Sequence, residues 1–487
     1  MPLERLPRST PEAQGLPSRA VLDLVDALEK TVDEPHSLMV VVGGHVVTEG
    51  WWAPYEPHLS HQLYSLSKSF TSTAVGLAQG EGLLSVEDLV LPYFPDEAPA
   101  DPDARLRALR IRHLLTMTTG HDQDPTDAVI GGPDWARAFL AEPLQHEPGT
   151  VFTYNTAATY VLSAIVQKVT GQRLLDYLTP RLLEPLGIQG ATWEQSPQGV
   201  DTGGFGLTAR TEDIACFGRL YLDDGVWDGR RLLPEGWVAE ATGHLVPSRG
   251  EAIDWVQGYG YQFWRARHGY RGDGAFGQFC IVLPEQHTVV AMTAGVQDMQ
   301  IVLDGIWEHL LPALSGSALP EDPAALSGSA LPEDPAAHRA LTERLARLTL
   351  NPPPDTAEPT DRVPLAGRAF DLDANELGIT RVSFRGEPDR MRIDVAGHEG
   401  TTTIDAGAGA WLPGSVPGRQ WGMLPSMASG AWTASDTYVV TMRLITTPYV
   451  LTLTARVAGD ALRVTADLNV SFGPTRVAEL TGSVMSS

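Results

Sequence analysis

Lysine is nearly absent from this chain. Lys30, Lys68 and Lys168 are the three among 487 residues, so arginine supplies 32 of the 35 basic side chains. Cysteine is scarcer still: Cys216 and Cys280 build no disulfide framework, and each reads as a small buried hydrophobe. Acidic groups outnumber basic ones 60 to 35, and a net charge of −25 disfavours nucleic acid and anionic membrane as partners. No apolar run approaches the roughly 18 residues needed to span a bilayer. The opening stretch MPLERLPRSTPEAQGLPSRAV lacks the apolar core of a secretion signal, which makes a cytoplasmic location the expectation.

Several catalytic signatures are missing as well. Without G-x-S-x-G there is no nucleophile elbow, and without H-E-x-x-H or C-x-x-C there is no common zinc or dithiol site. His58 and His61 stand three apart but have no third ligand, and they read as surface histidines. Asp122, Asp124 and Asp127 lack the glycine and distal glutamate of a calcium loop. They read as a solvated loop at the rim of a cleft, opened by His121, which is a candidate for touching substrate. Neither a metal nor a cofactor is expected.

What is present is Ser65-Leu66-Ser67-Lys68, opening the run YSLSKSFTSTAVGLAQG. A serine and a lysine three apart on a helix share a face, within hydrogen-bond reach. A partly neutral amine can take the serine's proton, and burial lowers a lysine pKa far enough for that. Arginine cannot deprotonate, so a lone lysine here in an arginine-rich chain points to chemistry. Ser65, Ser67, Ser69, Thr71, Ser72 and Thr73, with Gly76 and Gly80, make a poor surface helix. They suit one packed on all sides, its N-terminal end aimed into a site.

Three further pieces follow in order: G-x-L-S-x-x-D from Gly82 to Asp88, I-R-H-L-L-T-M-T-T-G from Ile111 to Gly120, and P-G-T-x-F-x-Y from Pro148 to Tyr154. Together with S-x-x-K they resemble the serine beta-lactamase and penicillin-binding-protein superfamily, in particular its class C-like branch. That branch includes family VIII carboxylesterases, D-aminopeptidases and amide hydrolases acting on small oligomers. The resemblance covers roughly residues 10–312.

It implies further site residues. The family's Y-x-N motif corresponds to Tyr154-Asn155-Thr156, so Thr156 holds the asparagine position and the amide is displaced to Asn155; both are candidate substrate-binding residues, as is Gly274 in the third motif. Tyr154 is then expected to share proton transfer with Lys68, as base or as acid. The family's third motif corresponds to Gly272-Asp273-Gly274-Ala275, which would place the N–H groups of Ser65 and Ala275 around an oxyanion. Gly272 stands where beta-lactamases and peptidases carry a lysine that helps hold a substrate carboxylate. Arg271 is the candidate substitute, and Asp273 is either a substrate-facing acceptor or a turn residue.

The expected fold is α+β: an antiparallel sheet flanked by helices with a helical lobe, in the beta-lactamase/DD-peptidase manner, plus a C-terminal antiparallel β domain. A helix is predicted over Ser18 to Val32, strands meet at Gly43-Gly44, and a closing helix runs from Met299 to Leu314. Residues 1–312 form the hydrolase domain in this reading. A linker follows at 313–337, where ALSGSALPEDPA at Ala313–Ala324 recurs unchanged at Ala325–Ala336. Residues 338–487 would be a short helix and then a β-barrel or sandwich. Leu462, Val464, Ala466, Leu468 and Val470 alternate with polar residues there, and Trp411, Trp421 and Trp432 are core or a binding face.

The reading is a serine hydrolase that cleaves small carboxylic esters through an acyl-enzyme on Ser65. Amide or D-amino-acid peptide hydrolysis is the alternative. A beta-lactamase or D,D-peptidase, or a non-catalytic binding protein on the same fold, stands behind both. The partner is a small-molecule ester or amide substrate, with a homodimer left open.

Overall fold

The computed structural model describes residues 5–315, 330–398, 400–418 and 422–484. Most of the tandem copy falls at 316–329, and Trp421 also lies outside the described residues.

Six strands make the first sheet: β1 (Pro35–Val42), β2 (His45–Trp51), β3 (Trp264–Arg265), β4 (Tyr270–Gly274), β5 (Gln278–Leu283) and β6 (Thr288–Ala294). Their order is β2-β1-β6-β5-β4-β3, antiparallel throughout. Both faces are covered, so the strands read as unbroken apolar runs. Met39 and Val41 of β1 face one core, and Leu38 and Val40 face the other. The second of these cores holds α1 (Ser18–Thr31), whose Val21, Leu24, Val25 and Leu28 repeat at helical spacing. The Glu12 carboxylate tops this helix, accepting from the Ser18 N–H at 2.7 Å and the Ser18 hydroxyl at 2.9 Å.

The other core holds α2 (Ser67–Gly80), α3 (Thr156–Thr170) and α4 (Thr211–Leu222). Every residue of α2 from Ser67 to Ala78 is buried. Three of its hydroxyls reach other segments: Ser69 donates to the Gln262 carbonyl at 2.9 Å and Thr71 to the Gly203 carbonyl at 2.8 Å, whereas the buried Ser72 hydroxyl has no partner among the described residues. Thr73 meets the Tyr221 hydroxyl at 2.7 Å. The helix expected from Ser65 begins with a tight turn at Tyr64–Leu66, because Tyr64 takes a left-handed φ of 48°. One expectation is corrected. His61 is not a surface residue: it is buried against His36, ring nitrogens 3.1 Å apart, and burial holds its imidazole down to about 4.

The closing helix runs as α5 (Gln300–Gly305), widens over Ile306–Leu310 and ends at Ser315. Helix α6 (Pro335–Leu345) returns to α1, where Arg344 pairs with Asp26 and Glu29. The strands after this helix are β7 (Ala369–Leu372), β8 (Ile379–Glu387), β9 (Arg390–Gly397), β10 (Gly400–Ala408), β11 (Leu412–Gly418), β12 (Gly422–Ala434), β13 (Thr437–Arg443), β14 (Val450–Ala458), β15 (Ala461–Leu468) and β16 (Arg476–Val484). They run β10-β9-β8-β7-β16-β15-β14-β13-β12-β11, and Gly407–Ala408 of β10 also pair with Ser429–Gly430 of β12. That contact closes the sheet into a barrel.

The barrel docks at the end of the first sheet where β1 begins and β6 finishes. Arg443 grips the Glu34 carboxylate through two bonds of 3.0 and 2.8 Å. The Gln62 N–H donates to the Thr446 carbonyl at 2.9 Å, and the Tyr64 hydroxyl donates to that of Tyr449 at 2.7 Å. Trp411 donates to the Leu350 carbonyl, and Trp432 is buried in the barrel core.

Close packing of α2 gives a first prediction. A Cβ at Gly76 would lie 2.4 Å from the Trp237 ring. Gly76→Ala should therefore destabilise the protein by about 1–3 kcal/mol despite the better helix propensity of alanine, read as a lower denaturant midpoint.

Candidate active site

Between His61 and Phe70 only Ser65 escapes burial, and between Arg271 and Cys280 only Ala275 does. The two residues flank one opening. Ser65 lies in the first turn before α2, where N–H groups have no acceptor within the helix. Ala275 follows the last residue of β4. Gly274 lets the two segments meet: a Cβ there would sit 2.0 Å from the Leu63 carbonyl oxygen and 3.1 Å from the Leu66 nitrogen. Any side chain at 274 would push the strand off the nucleophile turn.

Lys68 Nζ stands 2.9 Å from Ser65 Oγ and donates to the Gly204 carbonyl at 2.7 Å. Burial lowers its pKa to about 7, against the pull of the Asp124 and Asp273 carboxylates. A substantial share of the amine is therefore unprotonated near neutrality. The Ser65 side chain acts on the Tyr154 phenol, and Lys68 Nζ lies 4.9 Å from the Tyr154 ring centre. Burial pushes the phenol well above its usual range, with Asp273 reinforcing the shift. Tyr154 thus stays protonated at neutral pH, while the Lys68 amine is partly neutral there. The Tyr154 ring stacks on Trp264 at 5.4 Å and meets Tyr259 edge-on.

The third motif is built for closeness. A Cβ on Gly272 would meet Leu66 Cδ1 and Ser69 Oγ at 2.6 Å each, so a larger residue enters there only if those two side chains shift. Arg271 is not the substitute cation expected there. It is wholly buried, donates to Asp273 at 2.8 Å and to the Asp254 carbonyl at 2.9 Å, and lies over the Trp255 ring. Asp273 is accordingly no turn residue: it lies in β4, 7 % exposed, held by Arg271 and Trp264 and felt by Lys68 and Tyr154. Burial raises its carboxyl, and the Arg271 guanidinium pulls it back down.

The other expected contacts divide. Thr156 opens α3 beside Gly204 and donates its backbone N–H to Asp124 at 3.3 Å. Asn155 is fully buried and caps that helix, Oδ1 accepting from the Ala158 N–H at 2.9 Å, with Nδ2 near Thr119 and His121. These contacts commit its amide to the helix end, which corrects its assignment as a substrate contact. His121 is likewise inside the protein, 2.9 Å from the Thr119 hydroxyl and against Phe139, and burial holds its imidazole down to about 4. Its assignment to substrate contact is corrected on the same ground. The motifs had not pointed to Gly204, Trp264 or Tyr259, and Asp124 had been read only as part of a solvated rim.

Beside the two open residues, Tyr64 and Phe276 both take left-handed φ, 48° and 67°, and pack edge to face at 5.6 Å. Tyr449 and Phe472 of the barrel complete this cluster. Tyr449→Phe should slow labelling of Ser65 by a fluorophosphonate roughly 3- to 10-fold, from loss of one hydrogen bond to a strained turn, with the melting curve little changed. For the wild type, the labelling rate should climb with pH and level off above a midpoint near 7, because only the neutral Lys68 amine accepts the Ser65 proton. A flat rate between pH 5 and 9 would contradict this role for Lys68.

The chain is similar to proteins already known. The family model described as "Beta-lactamase" matches residues 27–300. A 6-aminohexanoate-dimer hydrolase of Paenarthrobacter ureafaciens is 30% identical over 303 residues, 57% of this chain and 76% of that protein. Penicillin-binding protein 4 of Amycolatopsis lactamdurans is 28% identical over 298 residues, 53% of this chain and 77% of that protein. A solved structure described as a putative 6-aminohexanoate-dimer hydrolase from Bacillus anthracis superposes with a TM-score of 0.55 at 18% identity, covering 65% of this chain and 88% of that one. With a family model spanning more than half its length, the chain belongs to the beta-lactamase family, a fold of hydrolases that are mostly serine enzymes.

Proposed function

We propose that this protein hydrolyses small, uncharged carboxylic esters through an acyl-enzyme on Ser65. The observation that carries the reading is the 2.9 Å contact between Ser65 Oγ and a Lys68 amine brought to about 7. Ser65 Oγ attacks the carbonyl carbon while its proton passes to Lys68 Nζ. The oxyanion settles between the N–H groups of Ser65 and Ala275, where each donor is worth roughly 2.7–4 kcal/mol in a water-poor site. Collapse of the tetrahedral intermediate breaks the ester C–O bond, and the leaving alkoxide takes the proton back through the Tyr154 hydroxyl. Water then attacks the acyl carbon, with Lys68 again accepting a proton, and Ser65 is restored. The cleft side of β4 supports a neutral acyl group. Gly272 contributes no cation, a side chain there would have to displace Leu66 and Ser69, and the Arg271 guanidinium is committed to Asp273 and the Asp254 carbonyl.

Hydrolysis of a short linear amide is the second reading, favoured by the likeness to the 6-aminohexanoate-dimer hydrolase. The decisive comparison sets p-nitrophenyl butyrate against D-alanine p-nitroanilide and a chromogenic cephalosporin, for wild type and Ser65→Ala. The ester should show the highest kcat/KM and lose roughly a thousandfold or more in the variant. Faster anilide turnover would select the amide reading. Ester turnover that survives in Ser65→Ala would end both.

A further inference from the structure

The barrel is closed but not full. Its interior holds a cavity of about 330 Å³, and no residue of the Ser65–Lys68–Tyr154 site lines it. The wall comes from alternate residues along each strand, such as Ile393 and Val395 of β9, Leu451 and Leu453 of β14, and Val464 and Ala466 of β15. No charged side chain contributes to it, and Thr402 and Tyr438 are its polar side chains.

The two ends of the barrel differ. At the end where β14 turns into β15, Phe370, Phe384, Val457 and Leu462 are buried and plug the interior. Toward the other end the inward residues Val395, Leu451, Leu453 and Val464 are only partly buried. At the lip of that end, Leu377 and Val477 line the cavity while 43% and 46% exposed. Inward-facing aliphatic side chains that still meet solvent mark a hollow with a mouth rather than a packed core.

The mouth has a defined outlook. The loops around it include 444–449 and 469–475, and these are the loops that dock on the first sheet. Thr446 accepts from Gln62, Tyr449 accepts from Tyr64, and Asn469 donates to the Gly295 carbonyl at 3.0 Å. Phe472, 77% exposed, stands against Tyr64 and Phe276 beside the nucleophile turn.

We propose that the barrel interior binds one unbranched aliphatic chain, its polar end left at the mouth beside the nucleophile turn. A cavity of about 150 Å³ with such a lining accommodates a six-carbon ring, so this one holds roughly a dozen carbon atoms. A charged head group cannot follow the chain inside, because nothing on the wall would compensate its lost hydration. The chain comes either from a free fatty acid or from the acyl part of an ester presented to Ser65. The binding claim itself stands whether or not Ser65 acts on esters.

The probe is cis-parinaric acid, titrated by fluorescence into full-length Ser65→Ala protein, in which no acyl-enzyme forms. Saturable binding of one molecule per chain is expected, with displacement by dodecanoate. Ala466→Phe, which fills the cavity, and Leu453→Asn, which puts an amide on its wall at nearly constant volume, should each weaken binding at least tenfold. Circular dichroism would verify that both remain folded. Absence of saturable binding, or binding unchanged in both folded variants, would overturn the proposal. The same substitutions in the Ser65 protein separate the two sources. A free ligand leaves p-nitrophenyl acetate and dodecanoate turnover unaltered. A substrate chain lowers kcat/KM for the dodecanoate alone, about tenfold.

Discussion

A primary amine kept out of water beside a serine hydroxyl is the constraint around which this molecule is arranged. Lys68 loses its hydration because α2 is enclosed on every side, and enclosure on every side is feasible because the helix is made of serine, threonine, alanine and glycine. Larger side chains would hold α3, α4 and the sheet apart, and water would return to the amine. Burying hydroxyls is costly unless they are answered, and for Ser69, Thr71 and Thr73 answers come from distant segments: the Gln262 carbonyl, the Gly203 carbonyl, the Tyr221 hydroxyl. The second core on the far side of the sheet supports the same end by keeping β4 and β5 in place.

The opposite side of the opening is held by a different means. Two bulky residues, Tyr64 and Phe276, adopt a backbone conformation that costs of order 1–3 kcal/mol apiece. Each directly precedes or follows a residue whose N–H is assigned to the oxyanion. Their rings pack on one another and on Tyr449 and Phe472. The barrel is thus more than an appendage: its loops help to offset strain at the nucleophile turn, and Arg443 and Glu34 fasten it close by.

Much of the site was legible in the sequence because its first elements are local. Ser65 and Lys68 are separated by less than one helical turn, and the scarcity of lysine drew attention to them. Tyr154 was reached through the order of motifs. Asn155 was misread as a substrate contact because a motif locates a residue in the chain without orienting it; the helix end beginning at Thr156 claims its side chain. Gly204 could not be found this way, since its carbonyl meets Lys68 across 136 residues of chain. His61 looked exposed for the same reason: its partner His36 lies on another strand. Alternation announced the later strands and left a barrel or a sandwich open; the pairing of Gly407 and Ala408 with β12, which closes the barrel, and the cavity inside it lie in contacts between strands far apart in the chain.

The crowding around Gly272 also bears on how such a site can change over time. With Leu66 and Ser69 already where a Cβ would go, any larger residue at 272 has to displace these two side chains of the turn and helix that carry Ser65 and Lys68. Acquiring affinity for an anionic substrate through this strand would therefore be coupled to repacking beside the serine and the lysine themselves.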